Sequence, residues 1–429
     1  MAPARDATTI LPSPLPDLIG NLHQYAPSSM DTQMYLAHLA LNDFRNYRLL
    51  DLALGPGLFL FSGENAQGKT NLLEAVAMLA TSNSFHAGSD REVINWDAQD
   101  HLARVSAGVR RQEDEVKIEI VVIDPAYYGR PQGDSPAQQN THRQIELPAS
   151  AQRKRIKVNG VPKKAVDLVG QMKVVLFAPT DLHLVDGSPE DRRRFLDRSL
   201  CQMQPRYYQA WQKYRKVITQ RAALLKRIRE NQEDPSMLSY LDEQLVAQAN
   251  LIMFERRRMI AALNEQACIF QETISGGREH LQIAYRPSFS VDPGSDILQA
   301  QQHYREQLHE VRRKEMQQGV CLLGPHRDDM EFLVDGVNML TYGSRGQQRT
   351  VALSTKLAEL AYMRASTGDE PVLLLDDVFS ELDHLRREYL LHEVLQHEQV
   401  LLTATDFMSF PEEILAKAHR YQVVRGEIV

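Results

Sequence analysis

The run Gly63-Glu64-Asn65-Ala66-Gln67-Gly68-Lys69-Thr70 constrains this chain more than any other feature, because it satisfies G-x-x-x-x-G-K-[ST] at every specified position. A phosphate loop of this kind works between a buried strand and a helix, whose N-terminus contributes unpaired N–H groups and the positive end of a dipole. Both flanks are present. Gly57-Leu58-Phe59-Leu60-Phe61 reads as a buried strand, and Asn71 to Ala80 carries a helical pattern. Glycines at both ends let the backbone wrap closely enough for its amides to cradle phosphates. Lys69 is expected on the β- and γ-phosphates, and Thr70 is expected to offer its hydroxyl to Mg²⁺. The expected ligands are thus ATP and Mg²⁺, held by residues 63–70.

Two further motifs fit the same chemistry. Val372-Leu373-Leu374-Leu375-Asp376-Asp377 is an apolar strand ending in two carboxylates, the arrangement that brings an acid to the Mg²⁺ of a phosphate-loop enzyme. Asp376 is the expected metal partner. Asp377, one residue further, is placed to orient and deprotonate an attacking water. A plain strand end with solvated acids is the bland alternative, and the phosphate loop counts against it. Gly343-Ser344-Arg345-Gly346-Gln347-Gln348 precedes a helix with an apolar stripe of Leu353, Leu357 and Leu360. Ser344, Gly346 and Gln347 at that helix start suggest a second anion site, or simply an N-cap. Lys69 already serves one set of phosphates, so a second site points to a partner subunit's nucleotide.

The rest of the chain places these motifs. Its 429 residues, 43% hydrophobic and 24% charged, suggest two or three domains. No apolar run approaches the roughly 18 residues of a membrane span, and the first twenty residues lack a secretory pattern, so a cytoplasmic location is expected. Cys201, Cys268 and Cys321 are too scattered for a disulfide framework or a zinc site. Residues 1–33, rich in Pro, Ala and Ser, read as a flexible extension, and Met34 offers an alternative start. Residues 129–150 read as a polar surface loop. From 187 to 318 long helical patterns dominate, including Tyr207 to Leu225 and Leu238 to Leu263, the latter with Arg256 on its seam. The expected architecture is an α/β ATPase head, built from 34–186 and 319–429, interrupted by an inserted helical arm.

Taken together, the phosphate loop, the Gly343 to Gln348 signature, the Asp376-Asp377 strand and Ser380-Glu381-Leu382-Asp383 resemble the heads of ABC and SMC-like ATPases. More narrowly, several segments in order resemble the RecF family: Phe44-Arg45-Asn46-Tyr47, Phe177-Ala178-Pro179-Thr180-Asp181-Leu182, Gly187-Ser188-Pro189 leading into Arg192-Arg193-Arg194-Phe195-Leu196-Asp197, and Gly324-Pro325-His326-Arg327-Asp328-Asp329. The resemblance runs from about Met34 to the C-terminus. It implies a head dimer sandwiching two ATP molecules, each between one subunit's phosphate loop and the other's Ser344 and Gly346, with Ser380 to Asp383 as the D-loop. It further implies binding to duplex and single-stranded DNA near gaps and cooperation with RecR and RecO in loading RecA. Leu402-Thr403-Ala404-Thr405-Asp406 lacks the switch histidine of transporters, and Asp377 replaces their longer catalytic Glu. The first departure is as expected of RecF-like heads, the second suits a slow switch, and the resemblance implies a weak, DNA-stimulated ATPase.

For DNA itself the signal is local. Residues 192–229 hold twelve Lys/Arg against one Asp, with Tyr207, Tyr208, Trp211 and Tyr214 interleaved. These could follow a phosphate backbone, with Arg215, Lys216 and Lys226 as candidates, or form a solvated face over core aromatics. Arg45 and Asn46 are candidates for nucleotide or DNA contact, or an ordinary polar turn. Gly324 to Asp329 offers a His with two acids, read as a turn that positions two lobes. The rival readings are a transporter nucleotide-binding subunit, a binding module with ATP as structural ligand, and an SMC-like tether. The helical stripes are too short for the last.

Overall fold

The structure, a computed structural model, describes residues 34–111, 114–124, 154–289, 297–408 and 410–429. The expected extension over 1–33 and the polar loop over 129–150 lie outside the described residues.

The central sheet contains β3 (Gly57–Ser62), β8 (Val174–Phe177), β12 (Val372–Asp376), β13 (Gln399–Ala404), β14 (Ala418–Val424) and β15 (Glu427–Ile428). Its order is β15-β14-β3-β13-β12-β8, parallel throughout except for the terminal β14–β15 pair. The strands read as unbroken apolar runs because both faces are covered. Phe59, Phe61, Val372, Leu374 and Leu401 enter one core, while Leu58, Leu60, Leu373, Leu375, Val400 and Leu402 enter another. Helix α1 (Lys69–Thr81) fills the first core and extends the sequence-expected helix by a residue or two at each end.

Over the first core lies an antiparallel sheet of β1 (Met34–Phe44), β2 (Tyr47–Ala53), β4 (Leu102–Arg111), β5 (Asp114–Ile123), β6 (Lys154–Val158) and β7 (Val161–Lys163), in the order β2-β1-β4-β5-β6-β7. Gln399 of β13, almost fully buried, ties the two sheets: it accepts from Leu36 N at 2.8 Å and donates to Leu36 O at 2.8 Å and Gly55 O at 2.7 Å.

Among the described residues, the segment 187–318, read from sequence as an inserted arm, has four long helices, α2 (Pro189–Met203), α3 (Pro205–Arg229), α4 (Met237–Ser275) and α5 (Ile297–Gln318). Ser188 caps α2 in a reciprocal box with Asp191, and Pro189 occupies the first helical position, where its missing N–H costs nothing. Helices α3 and α4 pack together as the two expected stripes, and α5 packs on both. Arg256, on the α4 seam, is buried and donates to Asp197, Tyr207 Oη and Pro325 O, which explains a charge at an apolar position.

One element differs from the sequence reading. Leu281–Arg286 forms a strand, β9, inside the segment read as helical; Leu281 and Ile283 are buried with Gln282 exposed between them, an alternation too short to stand out. Strand β10 (Asp329–Val334) pairs antiparallel with β9 and with β11 (Val337–Asn338), and so sits with the arm rather than the central sheet. Helix α6 (Arg345–Thr367) then packs Leu353, Leu357, Leu360 and Met363 on the central sheet and Val351, Ala352, Ala358 and Tyr362 on the arm. Helix α7 (His384–Val394) follows β12.

Candidate nucleotide site

At the carboxyl end of β3 the chain turns through residues 63–68 into α1. Gly63 approaches β14 so closely that a Cβ would stand 2.4 Å from the Val423 carbonyl oxygen. Gly68, at φ 116°, occupies backbone open only to glycine, and a Cβ there would meet the Asn46 amide within 2.6 Å. The loop is held from below. Asn46 Nδ2 and Gly426 N both donate to Gln67 O, at 2.8 and 2.9 Å, Arg425 N donates to Gln67 Oε1 at 2.7 Å, and Tyr47 Oη donates to Gly68 O at 3.0 Å. Asn71 Nδ2 donates to Asn46 Oδ1 at 2.8 Å.

Lys69 is buried and donates to the carbonyls of Gly63 and Glu64. Burial pushes its pKa below the ordinary lysine value, while Asp377 and Asp376 pull it back up. Thr70 Oγ1 lies 2.8 and 2.9 Å from the two Asp376 carboxylate oxygens, although 306 residues separate them. Thr403 Oγ1 donates to Asp376 Oδ1 at 2.9 Å and accepts from Asp377 N at 3.0 Å, so one β13 hydroxyl orients both acids. A hydroxyl and a carboxylate side by side are the hard oxygen donors Mg²⁺ takes with phosphate and water, and the donor set fits that ion. Asp377, half-buried at φ 48°, has its carboxyl pushed above the usual carboxylate range by burial, against the opposing pull of Ser380 and Lys69.

The signature lies apart from this cluster. Among the described residues no hydrogen bond or ion pair joins 343–348 to 63–70. Ser344 caps α6: its Oγ accepts from Gln347 N at 3.2 Å, leaving the hydroxyl hydrogen free to donate outward. Gln347 Oε1 in return accepts from Ser344 N at 3.1 Å, and its Nε2 donates to Glu279 Oε1 at 3.1 Å. The Gly346 and Arg345 N–H groups, at the helix start, have no intrahelical acceptor.

The candidate DNA residues divide. Arg215, Lys216 and Lys226 are exposed along α3. The interleaved aromatics do not line that face: Tyr207, Tyr208 and Tyr214 are buried in the arm core at helical spacing, the place the alternative of a solvated face over core aromatics gives them. Trp211 is half-buried, donates to Asp197 at 2.8 Å and lies under Arg215 at 4.8 Å. Arg192 and Arg221 are buried in ion pairs with Asp329 and with Asp242 and Glu315. Arg45 pairs with buried Glu74 of α1 through two nitrogens, at 2.7 and 2.8 Å, and so is a structural tie. His326 accepts or donates to Tyr214 Oη at 2.6 Å, and burial lowers its pKa to about 4. Together with Tyr285 on Asp328 and Arg192 on Asp329, this ties residues 324–329 into the arm.

Sequence reasoning missed the support under the loop from Arg425 and Gly426, because backbone donors carry no side-chain signature. It also missed Thr403, whose only sign was a hydroxyl residue at the end of an apolar strand.

The profile of the RecF/RecN/SMC N terminal domain matches residues 35–424. The DNA replication and repair protein RecF of Chloroflexus aurantiacus is 42% identical over 406 residues, covering 92% of this chain and 99% of that protein. RecF of Halalkalibacterium halodurans is 36% identical over 396 residues, with the same coverage. A solved structure of the recombination mediator protein RecF-ATPrS in the RecFOR pathway matches with TM-score 0.79 and 29% identity, over 93% of this chain and 99% of that one. The Smc head domain of Pyrococcus yayanosii, at 12% identity and TM-score 0.50 over 92% of this chain and 97% of that one, shares the fold.

Proposed function

The chain belongs to the RecF family of ABC/SMC-like ATPases, and from that premise we propose that it is an ATP-gated DNA clamp of replication and recombinational repair. The observation that carries this reading is the Thr70–Asp376 contact, which joins the phosphate loop to the metal-binding acid across the parallel sheet. Solved relatives described as RecF-ATP and RecF-ATPrS support the nucleotide.

In this reading Lys69 neutralises the β- and γ-phosphates, and Thr70 with Asp376 holds Mg²⁺, which when bound spreads the developing charge. Asp377 orients the attacking water and takes its proton on a carboxylate oxygen. Ser344 and Gly346 donate to the γ-phosphate of the partner subunit's nucleotide, so ATP joins two heads and its loss frees them. Gln347 fixes the signature through the cap. The short reach of Asp377 keeps turnover slow, as a switch requires, and DNA raises it. The working division is a head of 34–186 and 319–429 and an arm of 187–318, with β10 and β11 docked on the arm. The closed dimer grips duplex and single-stranded DNA near gaps, with Arg215, Lys216 and Lys226 on the phosphates, and cooperates with RecR and RecO in loading RecA. No helix among the described residues is long and apolar enough to cross a membrane, in keeping with a cytoplasmic protein.

The test is equilibrium binding to gapped duplex with and without Mg-ATP, for the intact protein and Lys69→Met, with oligomeric state followed by sedimentation. ATP should raise both dimerisation and DNA affinity in the intact protein alone. DNA affinity indifferent to ATP and to Lys69 would sink the clamp. Asp377→Asn should trap an ATP-bound dimer; an unchanged DNA residence time would instead mark ATP as a structural ligand.

A further inference from the structure

We infer that Arg386 is a positioning residue that locks the signature and the D-loop of one subunit into a single rigid face, aimed at the partner subunit's nucleotide. Arg386 stands on the first turn of α7, next to its capping residue Asp383. Its side chain makes three different contacts. Nη1 pairs with the Asp383 carboxylate, Nε donates to Thr350 Oγ1 at 2.8 Å, and Nη2 donates to Gly346 O at 3.2 Å. Thr350 in turn donates to the same Gly346 oxygen at 3.0 Å. The Gly346 carbonyl is thus fixed from two sides, which fixes the orientation of the peptides on either side of this glycine in the first turn of α6. A glycine backbone is otherwise the most easily rotated point in the signature.

A second tie runs parallel to the first, from Arg349 on α6 to Glu381 in the turn after β12. At the other end, the Asp383 carboxylate accepts from Arg386 N at 3.0 Å, so the acid that caps α7 also holds the guanidinium. Among the described residues, these side chains make the hydrogen bonds and ion pairs between signature and D-loop, which belong to segments 30 or more residues apart and leave the head from different elements. Only a guanidinium presents three donors in one plane wide enough to span a carbonyl, a hydroxyl and a carboxylate, and a lysine ammonium cannot bridge all of them. None of these contacts reaches residues 63–70 of the same chain, so the effect of Arg386 falls on the other subunit's site.

This inference rests on the two-subunit reading above, and trans complementation separates the two. Arg386→Ala should lose about 10²-fold in ATP hydrolysis, as a misplaced donor does, while retaining ATP affinity at its own phosphate loop. Arg386→Lys should fall between. Mixed with an equal amount of Lys69→Met, which ATP does not dimerise by itself but which can pair with a subunit that holds ATP, Arg386→Ala should recover up to about a quarter of intact activity, the value for random pairing, in which half the dimers are mixed and each has one intact site of two. Ser344→Arg mixed with Lys69→Met serves as the control. If the control recovers activity and the Arg386 mixtures, with Ala and with Lys, do not, Arg386 acts in its own subunit and the inference is overturned. It is equally overturned if Arg386→Ala hydrolyses ATP normally or loses its own ATP binding. If neither the control nor the Arg386 mixtures recover, the shared site itself is wrong, and the positioning role falls with it.

Discussion

Asp377 holds its place against two local costs, a left-handed backbone at φ 48° and a carboxyl buried beside Asp376. Asparagine tolerates that backbone about as well as aspartate, so Asp377→Asn removes the charge without disturbing the turn. The native carboxyl is raised above its unfolded value. Its contribution to stability is therefore complete below the ordinary carboxylate range and lost as pH rises through the folded pKa. At neutral pH Asp377→Asn should be the more stable protein, by about 0.5–2 kcal/mol in urea unfolding, and the gain should vanish in acid. Hydrolysis should behave in the opposite way: its acid limb, read from a pH–rate profile, should lie above the range of an unperturbed Asp, because only the ionised form takes the proton. Gly68 offers a second test at one position. Gly68→Ala sets a Cβ against the Asn46 amide in backbone that disfavours any side chain, and should lower stability by about 1–3 kcal/mol. Its ATP affinity, measured by calorimetry, should fall at least as far as its fold does, since Asn46 also holds Gln67.

Among the elements, α6 is the one both lobes share. Its sheet-facing stripe of Leu353, Leu357 and Leu360 was legible because three-and-four spacing shows in sequence, whereas its arm-facing side was not, because between Val351 and Tyr362 that side is made of the small Ala352, Ser354 and Ala358. Besides that apolar contact, α6 is joined to the arm by Ser199 of α2, which donates to Glu359, and by Gln271 of α4, fully buried, which accepts from Ser354 Oγ at 3.0 Å and donates to Glu279 at 2.7 Å. Gln271→Leu, close in volume, takes the bond from buried Ser354 and leaves Glu279 with Gln347 alone of its two amide donors, and should cost about 1–3 kcal/mol by chemical denaturation. A neutral result would mean that packing alone seats the helix. The same distinction explains the rest of the site. The phosphate loop and the Asp376-Asp377 strand are contiguous motifs whose chemistry sits in their own letters. Arg425, Gly426 and Thr403 act through single hydrogen bonds made by distant segments, and β9 through an alternation of two buried residues, so nothing in their own sequence separates them from an ordinary strand or turn.

At the scale of the whole molecule, charge has to be weighed by where it lies. The chain is acidic, with a net charge of −7, yet α3 presents Arg215, Lys216 and Lys226 to solvent, and among the described residues no carboxylate lies within ion-pair distance of them. Two neighbouring cations are already compensated: Arg227 pairs with Glu233 at 3.1 Å, and Arg221 is buried between Asp242 and Glu315. The three exposed cations are thus available to phosphates at small desolvation cost, while the buried ones hold the arm together. Each phosphate contact adds about 0.9 to the slope of log affinity against log salt. Reversing all three to Glu should therefore reduce that slope by up to about 2.7 and weaken duplex binding about hundredfold at 0.15 M salt. Because the side chains are on the solvent face, the thermal transition should stay within about 0.5 kcal/mol of the intact protein, and ATP-dependent dimerisation should be unaffected. If binding and its salt slope are unchanged, the DNA path lies elsewhere on the dimer, and α3 is simply the solvated back of the arm.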